Sequence, residues 1–313
     1  MPELTVAIGV STFGAADAAP RELLSHAGAR LVENRHGRTL KEDEISELLR
    51  DADALIAGTE PLTAAVLEHA PKLRAISRVG VGTDNVDLAA AARLGIAVFN
   101  TPDAVTQAAA ELTLSGILCV LRHVHEMDAE LRAGRWTRKM GRLLSGKTVG
   151  IVGLGRIGRR VATLLEPFGV ERLAYDIFPD TAWAAEHGVT FTPFHDLLAR
   201  ADVVSIHTSK TPDVGPIFGR DELALMKHGA VIVDTARGDV LDEEALAEAL
   251  RDGRLGGAYL DVFSEEPYTG ALRELDSVLL TPHAGSYAEE ARARMETEAV
   301  EQLLTFLVPE PVA

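Results

Sequence analysis

Short apolar runs alternate with amphipathic stretches along almost the whole chain. TVAIGV (5–10), ALIAG (54–58), RAISRVG (74–80) and IAVFN (96–100) have the length and β-branched content of buried strands. Between them, LTAAVLEHA (62–70) spaces its apolar residues as a helix does. AAAELTLSGILCVLRHVHEMDAELRAG (108–134) reads as one long helix with no strand inside it. Alternation resumes with KTVGIVGLGRIGRRVATLLEPFG (147–169), ERLAYD (171–176), DVVSIH (202–207), AVIVDT (230–235), GGAYLDV (256–262) and SVLLTPH (277–283). SYAEEARARMETEAVEQLLTFL (286–307) reads as one amphipathic helix. Strands separated by helices build parallel sheets with crossover connections. The pattern therefore predicts an α/β protein of two doubly wound parallel-sheet domains, 1–101 with 285–313, and 102–284. The first is discontinuous, because the closing helix has no strand of its own and packs back on the opening segment.

A length of 313 residues exceeds what one hydrophobic core usually fills, which agrees with two domains. The hydrophobic share of 47% and charged share of 25% are those of a globular protein. A net charge of −16 excludes a nucleic-acid partner, since phosphate binding needs a basic surface. It leaves room for an anionic small substrate held by a few local arginines. The single cysteine, Cys119, has no internal disulfide partner and reads as a buried helix residue. The start MPELTVAIGV lacks a basic leader, and no run reads as a membrane span of about 20 apolar residues. A cytoplasmic protein without a membrane partner is expected. No His, Cys or carboxylate cluster has the spacing of a metal site.

GLGRIG (153–158) has the spacing G-x-G-x-x-G, follows the strand TVGIV and opens the helix RIGRRVATLL. In that context the motif predicts dinucleotide binding. Gly153 permits the tight turn, Gly155 lets backbone approach a pyrophosphate, and Gly158 brings helix against strand. Asp176 ends the next strand, 18 residues beyond Gly158, where a carboxylate accepts hydrogen bonds from ribose hydroxyls and repels a 2′-phosphate. NAD is expected rather than NADP. Ser209 and Lys210 leave the adenine side of that site open.

Arg237 stands at the carboxyl end of VIVDTA, beside Gly238, where α/β sheets bind ligands. A guanidinium there suits an anion. Taken together, RVGVGTDNVDL (78–88), AAELTL (109–114), GKTVGIVGLGRIG (146–158), TARGDVLDEEAL (235–246), LDVFSEEP (260–267) and TPH (281–283) resemble the D-2-hydroxyacid dehydrogenases. The likeness is to the branch of phosphoglycerate dehydrogenase and glyoxylate/hydroxypyruvate reductase, and covers almost the whole chain.

The resemblance implies a flavodoxin-like substrate domain and a Rossmann NAD domain with a cleft between them. It implies NAD-dependent interconversion of a small 2-oxo acid and its D-2-hydroxy acid. Arg237 would anchor the carboxylate and carbonyl, His283 would exchange the proton, and Glu266 would pair with His283. Each role has physical sense: arginine grips a carboxylate with two prongs, and histidine titrates near neutrality. Val81 and Gly82 would cup the substrate carboxylate through backbone N–H groups, and Arg78 would reach its far end. Arg156 and Ile157 would lie along the pyrophosphate, Thr235 and Ala236 along nicotinamide, and Asp261 would bond its carboxamide. Thr106 would touch the nucleotide. Expected substrates are 3-phosphoglycerate or phosphohydroxypyruvate, glyoxylate or hydroxypyruvate, and phosphonate analogues.

Two other functions keep the same residues: an NAD(H)-sensing corepressor-like binding protein, and a phosphite- or formate-type dehydrogenase. The stretch 132–147 around Trp136 resembles the family's dimer-forming region, so a homodimer is expected. The end at residue 313 implies the short form without an effector-binding domain. Three places depart from the family pattern. Ser209 and Lys210 stand where Pro-Leu is usual, Asp234 stands where asparagine is common, and AGSYAEE follows TPH.

Overall fold

A computed structural model describes residues 4–209 and 215–308. The chain folds as two compact units, one running to Val105 and taken up again from Ser286, the other Thr106–Gly285. The first unit carries β1 (Thr5–Ile8), β2 (Arg30–Glu33), β3 (Ala54–Ala57), β4 (Ala75–Arg78) and β5 (Ala97–Asn100). They form one sheet in the order β2-β1-β3-β4-β5, with every pairing parallel. The second unit carries β6 (Thr148–Val152), β7 (Glu171–Tyr175), β8 (Val189–Phe191), β9 (Val203–Ile206), β10 (Ala230–Asp234), β11 (Leu255–Leu260) and β12 (Val278–Leu280). Its order is β12-β11-β10-β9-β6-β7-β8, again parallel throughout.

Both faces of the second sheet are covered, which is why its central strands read as largely apolar runs. In β10, Ala230 and Ile232 enter one core cluster while Val231 and Val233 enter the other. Each fully buried valine or isoleucine contributes about 1.5–3 kcal/mol. The helix Arg156–Leu165 covers β6 by burying Gly158, Val161, Ala162 and Leu165.

In the first unit the helix Glu289–Leu307 packs back on the sheet through Met295, Ala299, Val300 and Leu303. Gln302 accepts from the Ser77 hydroxyl at 2.9 Å and donates to the Asn100 carbonyl at 2.9 Å. The buried Glu296 accepts the Gly14 N–H at 2.7 Å and pairs with Arg292 at 2.6 Å, which ties the loop after β1 to this helix.

Three sequence expectations need correction. The stretch 108–134 is two helices, Pro102–Leu121 and Val124–Arg132. His123 between them takes a left-handed φ of 52°, and the Leu121 carbonyl accepts the Arg142 N–H at 2.8 Å in place of a helical donor. The first of these helices is long and apolar enough by composition to cross a membrane, contrary to the reading of the sequence, and half of that stretch is buried. Its Ala110, Ile117, Val120 and Leu121 join the core against Val149, Ile151 and Val231, as a central helix of a globular unit does. Cys119 on the same helix is half-buried rather than enclosed.

Candidate active site

The strand order of the second unit changes direction between β6 and β9, and the loop that leaves β6 there is GLGRIG. Gly153 has φ 94° and donates to the Tyr175 carbonyl at 2.8 Å, so the turn folds onto the end of β7. A Cβ on Gly158 would overlap the Gly153 carbonyl oxygen. Gly155 caps the helix Arg156–Leu165, and nothing lies within 4 Å of where its Cβ would be. An open, positively polarised helix start at a switch point fits a pyrophosphate. The exposed Arg156 and half-buried Ile157 form the first turn of that helix.

Asp176 follows β7 and turns back to this loop. Its Oδ2 accepts the Leu154 N–H at 2.7 Å, and its Oδ1 accepts the Phe178 N–H at 2.8 Å. Each oxygen retains a further lone pair for a ribose hydroxyl. Behind Gly153 sits His207, whose Nε2 shares a proton with Ser205 Oγ at 2.8 Å. Burial pushes that imidazole down to about 4, so it stays uncharged at the nucleotide loop. Ser209 is exposed, and Lys210 lies outside the described residues. Among the described residues no cluster of His, Cys, Asp and Glu has the makings of a metal site.

Arg237, Glu266 and His283 come from the carboxyl-end loops of β10, β11 and β12. His283 Nδ1 meets Glu266 Oε2 at 2.9 Å, with side-chain exposures of 46% and 38%. Partial burial alone would raise the Glu266 carboxyl. The bond and charge of His283, the Phe263 N–H and the charge of Arg237 outweigh it and hold the group below its ordinary value. Arg237 donates to the Ala236 carbonyl at 2.7 Å and so bends back along its own loop. A Cβ on Gly238 would overlap the Phe263 backbone, so glycine lets the β10 and β11 loops close together.

His283 has a left-handed φ of 53°, uncommon outside glycine. Its turn is held by Asp261, which is 1% exposed. Asp261 accepts the Thr281 hydroxyl and the Ala284 N–H on Oδ1, and the Gly285 N–H at 2.8 Å on Oδ2. Burial nevertheless raises its carboxyl above the ordinary aspartate value. The sequence gives no sign of this anchoring role beyond an acid at a strand end. Thr235, also buried, bonds Thr113 of the helix Pro102–Leu121 at 2.8 Å, and Thr106 lies in the first turns of that helix.

Arg78 ends β4 in the first unit, and Val81 and Gly82 follow it. Arg78 donates to the Val79 carbonyl at 2.5 Å and lies over Gly80, while Asn100 Nδ2 bonds the Val81 carbonyl at 2.8 Å. Asn85 organises the following turn by donating to the Glu60 carbonyl at 2.7 Å.

Residues 114–285 match the model of the D-isomer specific 2-hydroxyacid dehydrogenase NAD binding domain. The D-3-phosphoglycerate dehydrogenase of Mycobacterium leprae (strain TN) is 44% identical over 264 residues, 83% of this chain and 50% of the relative. The chain spans about half the length of the curated relatives it matches. A glyoxylate reductase from Paecilomyes thermophila superposes with a TM-score of 0.86 at 30% identity, covering 99% of this chain and 97% of the other. A D-lactate dehydrogenase from Aquifex aeolicus, solved with NAD and lactic acid, superposes with a TM-score of 0.84 at 26% identity over 97% of this chain and 95% of the other. The cofactor of the second unit is NAD, and the chain belongs to the family of D-isomer-specific 2-hydroxyacid dehydrogenases.

Proposed function

We propose that the protein reduces a small 2-oxo acid to its D-2-hydroxy acid, or runs the reverse oxidation. The observation that carries the reading is the His283–Glu266 pair at 2.9 Å beside the Arg237 loop, at the strand ends of the NAD-binding unit. Arg237 grips the substrate carboxylate and polarises the carbonyl, as a forked guanidinium is suited to do. His283 supplies the proton to the carbonyl oxygen and recovers it in the oxidation, with Glu266 fixing the ring and stabilising imidazolium. Bound NADH supplies the hydride. Gly153, Gly155, Arg156, Ile157 and Gly158 bind the pyrophosphate, Asp176 the ribose, and Thr235, Ala236 and Asp261 border nicotinamide, with Thr106 as a further contact. In this reading the first unit takes the substrate, through Arg78 and the backbone of Val81 and Gly82.

The protein acts as a cytoplasmic homodimer in this proposal. Trp136, Met140 and Leu143, at 80%, 94% and 69% exposed, lie within eight residues and give a second copy apolar surface to cover.

The test is NADH consumption against glyoxylate, hydroxypyruvate, pyruvate, phosphonopyruvate and phosphohydroxypyruvate, with NADPH in parallel. Turnover of at least one is expected, and NADH binding without any turnover would point to the sensor instead. For the cofactor, Asp176→Ala is expected to narrow the NADH over NADPH preference by about tenfold or more in kcat/KM. An unchanged ratio would move the discrimination elsewhere.

A further inference from the structure

β11 and β12 run side by side in the second unit, with Tyr259 opposite Leu279 and Leu260 opposite Leu280. Asp261 and Thr281 continue that register, and the Thr281 N–H donates to the Leu260 carbonyl at 3.0 Å. Side chains two residues apart on a strand share a face. The Thr281 hydroxyl therefore meets both Tyr259 and Asp261. It donates to Asp261 Oδ1, and the Tyr259 hydroxyl lies 2.9 Å from it. A hydroxyl carries one proton, and that of Thr281 goes to the carboxylate. Tyr259 is then the donor of the other bond. The three groups form a chain that runs one way, from phenol to threonine to carboxylate.

Both ends of this chain are fixed. Tyr259 is buried, and a Cβ on Gly116 of the helix Pro102–Leu121 would overlap its ring, so the phenol lies directly against that helix. At the other end, the buried Asp261 gathers the turn that carries His283. Its carbonyl accepts the His283 N–H at 2.8 Å, its Oδ1 the Ala284 N–H at 2.7 Å and its Oδ2 the Gly285 N–H at 2.8 Å. The left-handed φ of His283 is a conformation that a side chain disfavours and that the surroundings must hold. The two bonds to the carboxylate last only while it keeps its rotation about Cβ–Cγ. The Thr281 hydroxyl is a side-chain contact that fixes this rotation.

We propose that Thr281, oriented by Tyr259, is a positioning residue for the proton donor: it fixes the Asp261 carboxylate, which fixes the turn that carries His283. The inference rests on the dehydrogenase reading above and adds two residues to that site.

The experiment uses the full chain at saturating NADH, with a 2-oxo acid that the wild type turns over. Thr281→Val keeps the shape and removes the hydroxyl. Its kcat is expected to fall by about tenfold or more, while KM for the 2-oxo acid stays within about twofold. Thr281→Ser restores the hydroxyl and is expected to recover kcat to within about threefold of the wild type. Tyr259→Phe keeps the ring against Gly116 but leaves the Thr281 proton undirected, and about a threefold or larger loss of kcat is expected. In the protein without NADH, the ring ¹H–¹⁵N signal of His283, assigned by its loss in His283→Ala, should move in Thr281→Val and stay in place in Thr281→Ser. Residues that only support the fold would lower the melting temperature and leave both the kcat of the folded protein and this signal unchanged. A smaller loss in folded Thr281→Val or Tyr259→Phe, a poorer recovery in Thr281→Ser, or an unmoved His283 signal overturns the proposal. If Thr281→Val does not fold, the kcat of Tyr259→Phe decides alone. A wild type that turns over no 2-oxo acid overturns the dehydrogenase reading itself, and the His283 signal then still tests the positioning.

Discussion

His283→Ala is expected to bind NADH about as tightly as the wild type while its kcat falls by about 10²–10⁴-fold. The two readouts separate because the nucleotide loop and the proton donor come from different strands. GLGRIG leaves β6, whereas His283 follows β12 and leans on Asp261 and Glu266. Removing the imidazole deletes the group that gives the carbonyl oxygen its proton and leaves the Gly155 helix start untouched. Glu266→Gln should cost less, since the ring remains and loses only its anionic partner. The carboxyl of Glu266 is held below its ordinary value, so that partner is charged throughout the neutral range. Fluorescence titration with NADH and steady-state turnover check the pair of expectations. Full turnover in His283→Ala would remove this residue from the chemistry.

The central strands of both sheets were legible because burial on two faces leaves them mostly apolar positions. β6, β9, β10 and β11 fall within the apolar runs that mark them, to within a residue or two at the ends. β2 and β8 were not. Both lie at sheet edges, β2 begins with the exposed Arg30, and β8 spans only Val189–Phe191. The break at His123 was illegible for another reason, since the helix ends at Leu121, whose carbonyl is taken by Arg142, 21 positions along. Of the candidate site, the glycine loop and Asp176 could be named from local pattern, whereas the histidine and its acid were named only through the family resemblance. The anchoring of the His283 turn by Asp261, and the bond from Asn85 to the Glu60 carbonyl, arise from residues far apart in sequence. No window of sequence contains them.

Asp234→Asn is expected to stabilise the protein, by an amount that grows with pH. Asp234 is 1% exposed at the end of β10, where its Oδ1 accepts the Ala236 N–H at 2.8 Å and Oδ2 finds no hydrogen-bond partner among the described residues. Burial pushes its carboxyl from 3.8 up to about 8, against the pull of the Ala236 and Arg237 N–H groups and the Arg237 charge, with Asp239 adding to the rise. Below about pH 4 the folded and unfolded chains both hold this proton, and the group has no net effect. Between about pH 4 and 8 the unfolded chain has released the proton that the folded chain retains. Stability then falls as pH rises, with a limiting slope of about 1.4 kcal/mol per unit. Above about pH 8 both states are ionised and the loss stays constant. Asparagine keeps the shape and the bond to Ala236 but has no proton to lose, so the variant escapes this decline. Urea unfolding at pH 5, 6, 7, 8 and 9 should show a gap in favour of Asp234→Asn that widens up to pH 8 and then levels. A gap independent of pH would mean that Asp234 is ionised across the whole range, with the nearby Arg237 as its counter-charge. The Arg237 loop would then hold a buried ion pair, and the substitution should weaken the hold on substrate instead of sparing it.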